Sequence, residues 1–230
     1  MQYVLLFLEP RHEPAGEKID VAEMARFAAE VRARGLARGG APLQPESAGA
    51  RVTMRDGKPL VIDGPFAEAK EVAAGFFVVE AESRAAALEI AKQCPFARWG
   101  TVEVRESPDR DVVAGAASGT RFLFLLHMSP DLKDDDGACY RAMVAYDDVL
   151  KGEGSYVESS QLALEPFGAR VRVRHGKTLV TDGPFTETKE VAGGYYIVRA
   201  ATRAEAIEIA KRCPHAREGT IEVRELALAG

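Results

Sequence analysis

The feature that most constrains this chain of 230 residues is that it repeats itself. Asp63-Gly64-Pro65-Phe66-Ala67-Glu68-Ala69-Lys70-Glu71-Val72-Ala73 returns 119 residues later as Asp182-Gly183-Pro184-Phe185-Thr186-Glu187-Thr188-Lys189-Glu190-Val191-Ala192. The same offset, without a gap, matches Lys92-Gln93-Cys94-Pro95 to Lys211-Arg212-Cys213-Pro214 and Thr101–Glu106 to Thr220–Glu225. Self-similarity at a fixed spacing over such a span is the signature of duplication. The match is uneven: roughly 38 of 58 positions agree from Gly49 to Glu106, but only about 5 of 46 from Tyr3 to Ala48. The C-terminal parts of the two copies have stayed alike and the N-terminal parts have drifted.

The repeat divides the chain into a module over residues 1–106, a linker over 107–120 and a second module over 121–230. The linker core, Ala114-Gly115-Ala116-Ala117-Ser118-Gly119, has the small, polar composition of a flexible tether. A module of this size has a thin core, so packing the two together would hide apolar surface that neither covers alone. The net charge is −5 with acids and bases interspersed, and no basic face of the kind that binds nucleic acid is visible. The apolar start of the chain, Tyr3–Leu8, is too short for a membrane span and lacks the flanks of a signal peptide, so it reads as a buried strand. Three cysteines, Cys94, Cys139 and Cys213, make no disulfide framework and point to a cytoplasmic protein.

Each module reads as β-α-β-hairpin-β-α-β. The first strand is Tyr3–Leu8 or Phe122–Leu126. The helix that follows carries an apolar stripe, Met24, Phe27 and Val31, repeated as Met143, Tyr146 and Leu150. Next come strands over Ala37–Leu43 and Tyr156–Leu162, then hairpins turning at Asp56-Gly57 and His175-Gly176. Apolar strands Gly75–Val79 and Gly194–Val198 lead to helices starting at Ser83 and Thr202, which Cys94-Pro95 and Cys213-Pro214 end. Thr101–Glu106 and Thr220–Glu225 close the modules. This is an α+β, ferredoxin-like βαββαβ plan with an extra hairpin. Its sheet has helices on one face only, so the expected architecture is two modules packed sheet to sheet as an intrachain pseudo-dimer.

The run Asp-Gly-Pro-Phe-x-Glu-x-Lys-Glu, followed by Gly-aromatic-aromatic, Cys-Pro-x-Ala-Arg and Glu-Val-Arg, resembles the YCII-related, or DGPF-motif, family, over nearly all of both copies. The resemblance implies the dimeric α/β barrel fold and a bacterial origin. It also implies kinship with small-molecule lyases and isomerases, and in some members a genomic neighbourhood with alternative sigma factors. A histidine–aspartate pair is proposed as catalytic in one branch of that family. The histidines here, His12, His127, His175 and His215, face Asp131, Leu8, Asp56 and Phe96 at the repeat offset. A duplicated His–Asp site is therefore absent.

Among polar candidates, Asp63 and Asp182 stand first. Each is either a cleft carboxylate raised in pKa by burial and able to act as general acid or base, or the side chain that holds the Gly-Pro turn. Glu68, Lys70 and Glu71, with Glu187, Lys189 and Glu190, read as ligand contacts or as a solvated loop. Arg51 and Arg170, repeated on the hairpins with Arg55, Arg174, Lys58 and Lys177, would fork a carboxylate or phosphate, or guard a sheet edge. Phe66 and Phe185 supply aromatic surface to a ligand or to the core. Asp134-Asp135-Asp136 suits a helix N-terminus and has no counterpart in the first copy, so no shared metal site is expected. Phosphate loop, nucleophile elbow and dinucleotide-binding glycines are missing, and no cofactor is expected. Two functions follow as expectations. One is binding or transforming a small polar or anionic molecule in the cleft near the DGPF segments. The other is non-catalytic binding of a protein partner, linked to sigma-factor or transcription regulation.

Overall fold

The structure, a computed structural model, describes residues 1–11, 19–66, 70–113, 119–130, 137–183, 185 and 190–227. The first copy runs β1 (Gln2–Pro10), α1 (Val21–Ala33), β2 (Ala37–Pro42), β3 (Ala50–Arg55), β4 (Lys58–Asp63), β5 (Glu71–Glu80), α2 (Arg84–Gln93) and β6 (Thr101–Glu106). A short strand, β7 (Asp111–Val112), belongs to the connection. The second copy runs β8 (Arg121–Met128), α3 (Ala138–Glu153), β9 (Tyr156–Gln161), β10 (Ala169–Arg174), β11 (Lys177–Asp182), β12 (Val191–Arg199), α4 (Arg203–Arg212) and β13 (Thr220–Glu225).

Local signals explain the elements. Asp56 and His175 adopt φ of 52° and 51°, followed by Gly57 and Gly176 at 74° and 73°, the left-handed pair that suits a two-residue hairpin. Ser83 and Thr202 cap α2 and α4 by accepting from the amides of Ala86 and Glu205. Glu205 completes its cap by accepting from the amide of Ala201 at 2.7 Å. Of the helix stripe, Phe27, Val31, Tyr146 and Leu150 are buried, and Met24 and Met143 pack against them.

The α+β, two-module plan read from the sequence holds. Four strands of each copy form the ferredoxin-like core, in the orders β6-β1-β5-β2 and β13-β8-β12-β9. Alternate residues of the central strands point away from the helices and meet those of the other copy. Val4, Leu6, Leu8, Phe76 and Val78 join Leu123, Leu125, Tyr195 and Ile197 in one buried cluster. Phe76 and Tyr195 lie ring to ring at 5.8 Å across this seam. The two sheets thus dry each other's open faces.

The hairpins go where periodicity alone did not place them: each leaves its own copy. β3 pairs with β13, and β10 with β6, giving sheets ordered β11-β10-β6-β1-β5-β2 and β4-β3-β13-β8-β12-β9-β7. Val171 of the second copy is therefore buried in the helix-side core of the first, and Ala50 and Val52 in that of the second. The crossings need glycine. A Cβ on Gly64 would lie 2.1 Å from the Glu46 carbonyl oxygen, and one on Gly49 2.5 Å from Arg224 Cδ. The connection is also more than a tether in its first half. β7 pairs with β9, and the Arg110 guanidinium joins Glu158 at 2.6 Å to the Arg38 carbonyl at 3.0 Å, one from each copy. The small-residue stretch 114–118 lies outside the described residues.

Candidate functional site at the ends of the seam

β4 ends at Asp63 in one sheet and β5 begins at Glu71 in the other, so the DGPF segment is the chain's passage between sheets. Its phenylalanine is core, buried beneath an arginine of its own hairpin. The Arg51 guanidinium sits 4.6 Å from the centre of the Phe66 ring, and that of Arg170 4.1 Å from Phe185. Contacts of this kind contribute about 0.5–2 kcal/mol depending on desolvation.

Asp63 and Asp182 are not in a cleft. Their side chains are 75% and 69% exposed, and the expectation of buried carboxylates does not hold. Each is instead paired with an arginine of the other copy. Asp63 pairs with Arg203, the first residue of α4, which also donates to the Gly49 carbonyl at 2.7 Å. Asp182 pairs with Arg84 at the start of α2, which also donates to the Gly168 carbonyl at 2.9 Å. Each aspartate thus ties an exchanged hairpin to a helix of the other copy. Lys70 is exposed and its carbonyl accepts from the Arg11 amide, while Glu68, Glu187 and Lys189 lie outside the described residues.

What the structure does bring together is a pair of buried charge clusters that sequence reading passed over. Thr101–Glu106 alternates polar and apolar, which reads as a strand with one wet face. Here that polar face is turned into the seam. Arg105 donates to Glu103 at 3.0 Å and to the Ala163 carbonyl of the other copy. Arg224 likewise donates to Glu222 at 2.9 Å and to the Gln44 carbonyl. All four side chains are at most 5% exposed. Glu103 then accepts from Arg170 at 2.9 Å, and Glu222 from Arg51 at 3.1 Å. Arg51 and Arg170, two of the hairpin cations expected at a ligand, are therefore each engaged by carboxylates of the opposite copy.

The clusters differ in their remaining cations. In the first, Glu71 accepts from Arg172 at 2.7 Å and Thr101 at 2.5 Å. In the second, Arg172 is replaced by Thr53, whose hydroxyl donates to the Gly219 carbonyl, and Leu8 is replaced by His127, whose Nε2 lies 3.2 Å from Glu222. Burial pushes the Glu222 carboxyl up. The hydrogen bond and charge of His127, with the charges of Arg51 and Arg224, outweigh it and hold the carboxyl at about 2. Burial pulls His215 below its ordinary value, and its Nε2 sits 2.9 Å from the His127 carbonyl, so that nitrogen carries the ring's proton. Burial also pushes the Cys94 and Cys213 thiols up to about 12, which keeps them protonated and unreactive.

A pH prediction follows. The folded value of Glu222 lies below its ordinary 4.5, so its contribution is full above about pH 5 and is lost as pH falls toward 2. A shift of this size is worth roughly 3 kcal/mol. Urea denaturation from pH 6 to 2 should show a loss of that order in the wild type that Glu222→Gln does not share; parallel curves would contradict it.

Beside the first crossing segment lies a cleft of about 190 Å³, lined by Glu9, Pro10, Arg11, Glu46, Val72 and Trp99. Arg11 donates to Glu46 at 2.6 Å and to the Phe66 carbonyl, and Glu46 also accepts from the Phe66 amide. Trp99 is 7% exposed, and its indole N–H has no partner among the described residues. Among those residues no group of His, Cys, Asp and Glu is placed to hold a metal, and no helix is long and apolar enough to cross a membrane.

Comparison with known proteins agrees with the doubled architecture. The model of the YCII-related domain matches residues 1–107 and again residues 120–228. An uncharacterised protein of Rhizobium meliloti (strain 1021) is 39% identical over 89 residues, a match covering 35% of this chain and 72% of that protein.

Proposed function

Since this chain belongs to the YCII-related domain family in both of its copies, we propose that it binds a small polar or anionic molecule at the ends of its intersheet seam, beside the DGPF crossings. The cleft at Trp99 carries this reading. It combines an apolar wall, Val72 and Trp99, with a cation, Arg11, and a carboxylate, Glu46, and the buried indole N–H of Trp99 has no acceptor among the described residues. Such a donor costs free energy while it lacks an acceptor, and a small ligand whose oxygen met it on a turn of the indole would offset that cost. Arg51 and Arg170 serve here as the rigid supports of the crossings, and Asp63 and Asp182 as hairpin ties.

Trp99 is the chain's single tryptophan, so its fluorescence reports the cleft directly. Titration with acetate, pyruvate, 2-oxobutyrate, inorganic phosphate and glycerol should give a saturable emission change with at least one of them. Arg11→Lys, which keeps the charge but loses the planar fork, should weaken that response about tenfold. No response from any of them at millimolar concentration would contradict the reading.

A second reading, binding of a protein partner without catalysis, draws on the outer strands of the exchanged hairpins. β4 and β11 are sheet edges, and they expose Leu60, Ile62, Leu179 and Val180. Sedimentation of the purified chain with and without extract of its native cell would reveal a stable complex; recovery of the free chain alone would remove this alternative.

A further inference from the structure

The long helix of the second copy, α3, differs from its counterpart α1 on the side turned away from the sheet. Burial of Tyr146 and Leu150, with Met143 packed against the same core, sets the inner side of α3. At the helical period the opposite side carries Arg141, Val144, Ala145, Asp148 and Gly152, all exposed, with Tyr140 and Val149 on its flanks. Val144, Val149 and Tyr140 are 46%, 47% and 60% exposed. One exposed apolar side chain is ordinary, but three on one surface of one helix make a strip that water covers at a cost. The strip is also low in relief. Ala145 sits at its middle, and a Cβ on Gly152 would meet nothing within 4 Å.

The strip matches itself. Arg141 lies three residues before Val144, and Asp148 three after Ala145. Two α3 helices laid antiparallel about a twofold axis between Val144 and Ala145 would set these apolar residues against their own copies. On either side of the axis the Arg141 of one chain would then face the Asp148 of the other. The small side chains at the crossing permit close approach of the two helices. The first copy lacks this pattern. At the matching places α1 has Ala25 and Arg26 at the centre, and Ala22 and Ala29 where the charge pair would stand. Arg26, which reaches Asp20 at 3.8 Å, would there be set against the Arg26 of a second chain.

We infer that the outer face of α3 is an interface on which a second copy of this chain docks, antiparallel and about a twofold axis. The occupant is a second copy because the order arginine, apolar centre, aspartate is complementary to its own reverse. The contact is small. α3 has 16 residues, about 24 Å of helix, and one pair of such helices falls short of the roughly 1,200 Å² of a standard interface. The dimer is therefore a weak one that dissociates on dilution. It is independent of the small-molecule reading above.

Sedimentation equilibrium of the intact chain tests this. The mass should be that of the 24.9 kDa monomer at about 1 µM and should rise toward twice that value above about 100 µM. Ala145→Arg, which copies Arg26 into the matching place of α3, should raise the dissociation constant about tenfold or more. Asp148→Arg, which sets arginine against arginine, should do the same. Arg141→Asp combined with Asp148→Arg exchanges the charges but keeps their match, and should return the constant to within about threefold of the wild type. Ala25→Arg on α1 should leave it unchanged. All these positions are exposed, so the melting curves should overlay that of the wild type. A chain that stays monomeric at millimolar concentration would overturn the proposal. So would a dimer that Ala145→Arg leaves intact, or one that the charge exchange fails to restore, since either would put the contact on another surface such as the β11 edge.

Discussion

Glu103→Ala should destabilise the protein by about 3–5 kcal/mol, the range found when one partner of a buried ion pair is removed. The cost comes from what is left behind. Arg105, at 1% exposure, loses the carboxylate it donates to and cannot replace it with water, while Arg170 is left with Glu71 at 3.7 Å. For a chain of this size the melting temperature should fall by roughly 6–20 °C. Glu103→Gln keeps an acceptor and should cost less. Asp63→Asn with Asp182→Asn removes two pairs whose carboxylates are mostly exposed, and pairs of that kind are worth about 0–1 kcal/mol each. Thermal melts of the three variants side by side should therefore rank Glu103→Ala far below the double aspartate variant. The reverse order would mean that the DGPF aspartates, and not the seam glutamates, hold the structure together.

The second large effect is expected on cutting the chain. A fragment of residues 1–113 keeps α1, α2 and its four core strands, but it loses β10 from its sheet edge and the whole cover of its seam face. Val4, Leu6, Leu8, Phe76 and Val78 would then meet water. At about 1.5–3 kcal/mol for each large side chain, their exposure costs on the order of 10 kcal/mol, comparable to the entire stability of an ordinary domain. Arg105 would also lose the Ala163 carbonyl it holds in the other copy. Alone, the fragment should fail to melt cooperatively as a monomer. It should either stay unfolded or pair with a second fragment in place of the missing copy. Mixing it with residues 119–230 should restore a one-to-one complex with the circular dichroism of the intact chain. A stable monomeric fragment by size exclusion would contradict a shared core.

Much of this fold could be read from residues alone because its signals are local. Asp56-Gly57 specifies a turn by its backbone freedom, Thr202 with Glu205 specifies a helix start, and the Met24–Phe27–Val31 stripe specifies a buried helix face. The 119-residue offset specifies two modules, and the bare sheet face of each asks for the other. The destination of the hairpins was not legible for a physical reason. β6 and β13 are almost the same sequence, Thr-Val-Glu-Val-Arg-Glu and Thr-Ile-Glu-Val-Arg-Glu, so either edge offers β3 the same partners. The choice between them is not written locally, since even the arginine that meets Asp63 at the far helix, Arg203, has its counterpart Arg84 on the near one.

The site was legible in part. Repetition drew attention to Arg51, Arg170, Phe66 and Phe185, and the structure sets each arginine over its own copy's phenylalanine and against a buried glutamate of the other copy. Glu103, Arg105, Glu222 and Arg224 escaped because a charged residue in a short alternating strand is ordinarily solvated. Only the exchange of hairpins and the packing of two sheets turn that face inward. His127 was visible as a difference between the copies, but its meaning depends on Glu222, which is 95 residues away in the chain.

The exchange of hairpins can be measured directly by nuclear Overhauser contacts between backbone protons of neighbouring antiparallel strands. Contacts from Val171 to Val102 and from Val52 to Ile221 are the expected result, joining residues of different copies. Contacts from Val52 to Val102 and from Val171 to Ile221, with each hairpin lying against its own copy's closing strand, would contradict it.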